Sequence, residues 1–101
     1  MKSLGELLKE KRQESGLILR KVAAIVDIDQ SLISKFEKNE RIPTKQQITR
    51  LAAFYKLELK ELLIKWYSQK IYDVLEDQED AIQILKVAEA RIAYKISNKQ
   101  K

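Results

Sequence analysis

Segment 16–43 predicts two short helices joined by a turn of only three residues. Apolar residues spaced three or four apart define one helix over about 19–26 and another over about 30–38, with Asp27-Ile28-Asp29 between them. Asp29 is a good N-cap for the second helix. Two short helices joined this tightly can cross steeply, so that the second stands out as a ridge on the surface.

The rest of the chain also favours helix, because it contains only 2 Gly and 1 Pro and is rich in helix-forming residues. Ser3 with Glu6 and Thr44 with Gln47 have the spacing of capping boxes, which mark helix starts. Further helices are predicted over about 3–15, 44–55, 58–75 and 81–96. The fold class predicted from these patterns is all-α.

Basic residues are concentrated in the N-terminal two-thirds of the chain. The net charge is +5. Residues 1–65 carry 14 Lys/Arg and 9 Asp/Glu, whereas residues 66–101 carry six of each. A basic excess confined to one part of the chain favours a polyanionic partner.

Several function classes are disfavoured by what the chain lacks. It has no Cys and no His, which excludes disulfides, the usual zinc sites and Cys or His catalysis. Carboxylates cluster over 73–80, but in a linker without a Gly-rich loop, so we expect no enzyme activity, no cofactor and no metal. No apolar run reaches the roughly 18–20 residues of a membrane span. With no signal peptide visible, we expect a cytoplasmic protein without membrane contact.

Residues between about 4 and 63 agree together in type and spacing with a known pattern. The matching residues are Leu8, Arg12, Gly16-Leu17, Val22-Ala23, the run 28–37, Arg41, Pro43, Leu51-Ala52 and Leu62-Leu63. In these the chain resembles the Cro/C1-type helix-turn-helix family, also called the XRE family. The resemblance implies a five-helix, lambda-repressor-like domain over 1–65 that binds double-stranded DNA with its third helix in the major groove.

The resemblance also assigns the base contacts. By position, Gln30 and Ser31 match the family's usual base-contacting residues, and Ser34 and Lys35 lie one turn further on. Gln can pair with N6 and N7 of adenine, and Lys can reach O6 and N7 of guanine or a phosphate.

Phosphate contacts should frame the third helix, because such contacts fix the register of a protein on DNA. The predicted set is Arg20, Lys21, Lys38, Asn39, Arg41 and the helix start at Thr44. In the family, the pair matching Arg12 and Glu37 commonly forms an ion pair between the first and third helices, so we expect a structural role for both.

The chain departs from the family in three places. Ile18 and Leu19 stand where the family usually has Ser or Thr followed by Gln. This removes a side-chain cap of the helix and an amide that contacts the DNA backbone. Arg20 can supply the backbone contact instead. Asn39 replaces a common Gly, and Asn tolerates the left-handed conformation. Leu32 lies beside the reading residues, where it either touches a thymine methyl or packs; we favour packing or a partner contact.

Residues 66–101 form a predicted helical extension that carries spare apolar side chains. We expect a homodimer with an interface formed by Trp66, Ile71, Leu75, Ile82, Leu85 and Ile92. A two-fold dimer would set two reading helices about one DNA turn apart on a pseudo-palindromic site. The alternative is a monomer in which the last helix folds back on its own domain.

These observations predict a sequence-specific transcriptional regulator. We expect a repressor that resembles phage repressors or restriction–modification controllers. The alternative is the antitoxin of a toxin–antitoxin pair, whose C-terminal helices bind a partner protein.

Overall fold

The computed structural model describes residues 2–99, which form six α-helices and no strand. The all-α prediction is therefore confirmed. The helices are α1 (Leu4–Glu14), α2 (Leu19–Val26), α3 (Gln30–Glu37), α4 (Lys45–Phe54), α5 (Leu59–Leu75) and α6 (Ala81–Lys99). The chain divides into two compact units, the first ending at Ile71 and the second beginning at Tyr72.

Side-chain caps fix where α1 and α4 begin. Ser3 Oγ accepts a hydrogen bond from the backbone N–H of Glu6 at 3.1 Å. At α4 both bonds of a capping box are present: Thr44 Oγ1 accepts from Gln47 N–H at 3.1 Å, and Gln47 Oε1 accepts from Thr44 N–H at 2.9 Å. A cap of this kind stabilises a helix by about 1 kcal/mol.

The turn between α2 and α3 has the predicted length. Asp27, the C-cap of α2, adopts a left-handed conformation with φ 56°, and Ile28 N–H then donates to the carbonyl of Ala23 at 3.2 Å. The side chain of Ile28 is 5% exposed and anchors the turn in the core. Asp29 caps α3 as predicted. These contacts fix the direction in which α3 leaves the turn.

One apolar core holds the first unit together. Its buried members are Leu4, Leu8, Val22, Val26, Ile28, Ile33, Phe36, Ile48, Leu51, Ala52, Leu62 and Trp66. α1 and α2 both pack against α3, and α2 also packs against α4. Burial of each large aliphatic or aromatic side chain contributes about 1.5–3 kcal/mol. One side of α3 therefore packs in the core, and its other side lies at the surface.

Trp66 belongs to this core, and the prediction that it forms part of a dimer interface is wrong. The side chain is 4% exposed, and its Nε1 donates to the backbone carbonyl of Pro43 at 2.8 Å. Trp66 lies one turn beyond Leu62 on α5, so the first unit uses one more turn of that helix than the family pattern indicates. Lys70 Nζ lies 3.9 Å from the centroid of the indole, a cation–π contact.

The second unit exposes most of its apolar side chains. No described residue of α6 is buried, and Ile82, Leu85 and Ile92 are 66%, 39% and 60% exposed. A helix with this many uncovered apolar groups buries them only when a partner surface is added. Within residues 2–99 no helix is long and apolar enough to cross a membrane.

Candidate nucleic-acid interface

α3 has one face fixed in the core and one at the surface. Ile33 and Phe36 are each 2% exposed and hold the inner face. The outer face carries the predicted base-contacting residues: Gln30, Ser31 and Lys35 are exposed, and Ser34 is half-buried. The structure thus brings these four side chains to one surface, with the helix beneath them held in place.

Asp29 organises the start of this surface. Its Oδ1 accepts two hydrogen bonds, from the backbone N–H of Ser31 and from Ser31 Oγ, both at 2.7 Å. The bonds from Ser31 hold the pKa of the Asp29 carboxyl below its usual value, because they stabilise the charged form. The sequence predicted the cap but not the second bond, which commits the hydroxyl hydrogen of Ser31.

The start of α2 meets the start of α3 at a shallow concavity. Leu19, Asp29, Gln30, Ser31 and Ser34 line it. Leu19 is thus an apolar neighbour of the predicted base-contacting residues. At the preceding position Ile18 is the N-cap of α2 without a side-chain cap, as the sequence indicated.

Exposed basic residues lie before and after α3 in the chain. Arg20 and Lys21 lie in the first turn of α2, and Lys38 and Arg41 lie just beyond α3. All four side chains are accessible for phosphate contacts. Their contacts with DNA phosphates stay a prediction.

Asn39 has a structural role that the sequence did not indicate. It has the expected left-handed conformation, with φ 60°. Its side chain, however, joins two parts of the protein: Oδ1 accepts from Gly5 N–H at 3.0 Å, and Nδ2 donates to Ser3 Oγ at 2.9 Å. Asn39 thus ties the end of α3 to the start of α1, and its contact with a DNA phosphate stays a prediction.

Thr44 is similarly engaged. Its hydroxyl oxygen and its N–H are both bonded to Gln47 in the capping box. The first N–H groups of a helix have no acceptor within the helix. In α4 the capping box leaves those of Lys45 and Gln46 in this state. A phosphate at this helix start would meet the N–H groups of those two residues, and a contact with Thr44 itself stays a prediction.

Arg12 and Glu37 form the predicted ion pair. The carboxylate of Glu37 is 5% exposed and accepts from two nitrogens of Arg12, whose third nitrogen donates to the carbonyl of Leu17. Hydrogen bonding to Glu37 raises the pKa of the Arg12 guanidinium above its ordinary value. The pair therefore ties α1 to the last residue of α3.

The hydroxyl group of Tyr55 has an unusual environment. Its hydroxyl oxygen is buried and has no hydrogen-bond partner among the described residues. Burial raises the pKa of Tyr55 to about 12, and the negative charge of Glu37 adds to the increase while Arg12 opposes it.

A short helix, a tight turn and a second helix with a fixed inner face and a polar outer face define a helix-turn-helix DNA-binding domain. A family model described as Helix-turn-helix matches residues 8–62, more than half of the chain. The protein belongs to the Cro/C1-type (XRE) helix-turn-helix family and is a DNA-binding transcription regulator of that type. No curated protein matches the chain.

Proposed function

We propose that the protein is a cytoplasmic, sequence-specific repressor that binds a pseudo-palindromic DNA site as a homodimer. The observation that carries the proposal is the position of α3. Ile33 and Phe36 fix its inner face in the core, while Gln30 and Lys35 are exposed on the other side. A helix held in this way presents its polar groups to the major groove without a cost of ordering its backbone on binding.

The reading face supplies both donors and acceptors. The Gln30 amide suits the N6 and N7 edge of adenine, and the Lys35 ammonium suits O6 and N7 of guanine or a phosphate. Ser31 and Ser34 lie on the same surface and complete the set of base-contacting residues. Phosphate contacts from Arg20, Lys21, Lys38 and Arg41 would fix the helix in its register.

The phosphate part of this proposal is tested by the salt dependence of binding. Each lost phosphate contact lowers the slope of log K against log salt concentration by about 1. We expect Lys38→Ala and Arg41→Ala each to lower the slope by about this amount, whereas Lys86→Ala on α6 leaves it unchanged. Equal slopes for all three variants would contradict a role for Lys38 and Arg41 in phosphate binding.

The dimer is supported by the exposed apolar groups of α6. Ile82, Leu85 and Ile92 lie at helical spacings of three and seven, so a second α6 can cover them in an intermolecular helix pair. A two-fold axis through this pair gives the protein the symmetry of a palindromic operator. Ile71 is 48% exposed and Leu75 is half-buried, and both remain in the proposed interface.

Sedimentation and DNA selection test the dimer together. We expect a dimer at micromolar concentration and selected DNA with two half-sites about one turn, roughly 10 base pairs, apart. Ile92→Ser should yield monomers, and the matched control Lys95→Ser should not. Monomers of the wild-type protein with single half-sites would overturn the dimer.

The same exposed face of α6 favours one further candidate, an antitoxin whose α6 binds a partner protein. In that case the wild-type chain would form a defined heterocomplex with the product of a neighbouring gene. Loss of that complex in Ile92→Ser, without a change in the chain's own oligomeric state, would support the antitoxin over the homodimer.

A further inference from the structure

We infer that Ser31 reads the amino group of adenine or cytosine and rejects the keto group of guanine or thymine. The inference rests on the proposed function, because it requires α3 to lie in the major groove. It names the chemical class of base that one position of the site accepts. The reason is the partner that Ser31 already has within the protein.

The hydroxyl of Ser31 is committed as a donor before any DNA arrives. Ser31 Oγ lies 2.7 Å from Asp29 Oδ1. An ionised carboxylate can only accept hydrogen bonds, so the hydrogen of this bond comes from the hydroxyl. Asp29 is exposed and its pKa is lowered, so it is ionised at neutral pH.

Only the lone pairs of Ser31 Oγ then remain for a base. A serine hydroxyl that rotates freely can donate or accept, and therefore contacts any base. In this protein rotation towards a base would break a charge-assisted bond to Asp29, which is stronger than a neutral one. Ser31 consequently acts as an acceptor.

The major groove separates bases by this property. Adenine N6 and cytosine N4 are amino donors, whereas guanine O6 and thymine O4 at the corresponding positions are acceptors. A keto oxygen in front of Ser31 would face lone pairs from the hydroxyl and a second set from the Asp29 carboxylate. Asp29 and Ser31 therefore form one acceptor edge at the start of α3.

The experiment compares base preferences of the full-length wild-type protein and two variants in DNA selection and competition binding. Ser31→Ala identifies the base pair that depends on the hydroxyl. At that pair we expect the wild-type protein to favour the amino base over the keto base by about tenfold, measured as adenine against guanine or cytosine against thymine. Ser31→Ala should reduce this ratio to below about threefold, while Ser31→Thr, which retains the hydroxyl, should preserve it.

Asp29→Gly isolates the role of the carboxylate. Glycine is an acceptable N-cap, so α3 should persist, which circular dichroism can check. The freed hydroxyl should then accept either kind of base, and the amino-to-keto ratio should fall as in Ser31→Ala. An unchanged ratio in Asp29→Gly, with α3 intact, would overturn the inference.

The outcomes separate this inference from the proposed function. A wild-type protein with no preference at any base pair overturns both. Two outcomes overturn only the inference about Ser31, provided that the protein shows preferences at other base pairs. One is a preference for guanine or thymine at the Ser31-dependent pair, and the other is that no base pair depends on Ser31.

Discussion

Arg12 donates two parallel hydrogen bonds to Glu37, from Nε to Oε2 at 2.8 Å and from Nη2 to Oε1 at 3.0 Å. Its remaining nitrogen, Nη1, donates to the carbonyl of Leu17 at 3.0 Å. One guanidinium therefore joins α1, the loop before α2 and the last residue of α3. The geometry is the bidentate arrangement that gives Arg–carboxylate pairs both strength and direction.

Replacing only one member of this ion pair should lower the free energy of unfolding more than replacing both. Arg12→Met leaves the Glu37 carboxylate nearly buried and unpaired, and we expect the free energy of unfolding to fall by about 3–5 kcal/mol. The double variant Arg12→Met with Glu37→Leu leaves no uncompensated charge and should lose less. Urea denaturation measures both values. A double variant that is less stable than Arg12→Met would contradict this account of the pair.

Gly5 should not tolerate even one added carbon. A Cβ at Gly5 would lie 2.5 Å from the carbonyl oxygen of Phe36 and 2.7 Å from that of Glu37. Helix propensity alone predicts that Ala stabilises α1 by about 1 kcal/mol. We expect the opposite, a loss of about 1–3 kcal/mol, because backbone groups at the end of α3 cannot move aside easily. Thermal unfolding of Gly5→Ala, with Lys9→Ala on the exposed face of α1 as control, decides the sign.

Tyr55 should make the protein sensitive to alkaline pH. Its pKa is raised to about 12, above the ordinary value of about 10. The folded state therefore keeps the proton longer than the unfolded state, and stability is lost as pH rises from about 10 to about 12. Tyr55→Phe removes this contribution to the pH dependence. At pH 7 it should be neutral or stabilising by up to about 1 kcal/mol, since the buried hydroxyl lacks a partner among residues 2–99.

Denaturant unfolding of Tyr55→Phe at pH 7 and at several values up to 12 measures both effects. The wild-type protein at the same pH values is the control. If the difference between the two proteins stays constant from pH 9 to 12, Tyr55 does not titrate as its burial requires.

Adjacent aromatic residues on α5 should differ sharply in their effect on stability. Trp66→Ala removes a side chain that is 4% exposed and should lower the free energy of unfolding by about 3–5 kcal/mol. Tyr67 is 51% exposed, and Tyr67→Ala should cost less than about 1 kcal/mol. Chemical denaturation compares the two. Similar losses would contradict the assignment of Trp66 to the core.

The sequence was sufficient for the features that depend on local rules. The turn at Asp27-Ile28-Asp29 and the cap at Asp29 follow from short-range chemistry, and the structure confirms both. The inner face of α3 followed from the three-residue spacing of Ile33 and Phe36. Such features depend on residues within a turn of each other, which a sequence displays directly.

Two contacts between distant residues were missed, whereas the Arg12–Glu37 pair was expected from the family resemblance alone. The carbonyl of Pro43 lies 23 positions before its partner Trp66, and Asn39 lies 34 positions after Gly5. Apolar periodicity shows that Trp66 faces one side of α5 but not what covers that side. Likewise, an Asn at position 39 indicates that the left-handed conformation is tolerated, but it does not indicate which groups its amide will hydrogen-bond. Only packing of the helices decides these contacts.

The central claim is that exposed residues of α3 read individual base pairs. The most direct measurement is competition binding to the selected site and its single-base-pair variants, by the wild-type protein and by Gln30→Ala and Lys35→Ala. We expect each variant to lose about 1–3 kcal/mol of discrimination at its own base pair and to keep the other preferences. Lys86→Ala is the matched control. Equal binding of the wild-type protein to all sequences, or a uniform loss by both α3 variants, would contradict the claim.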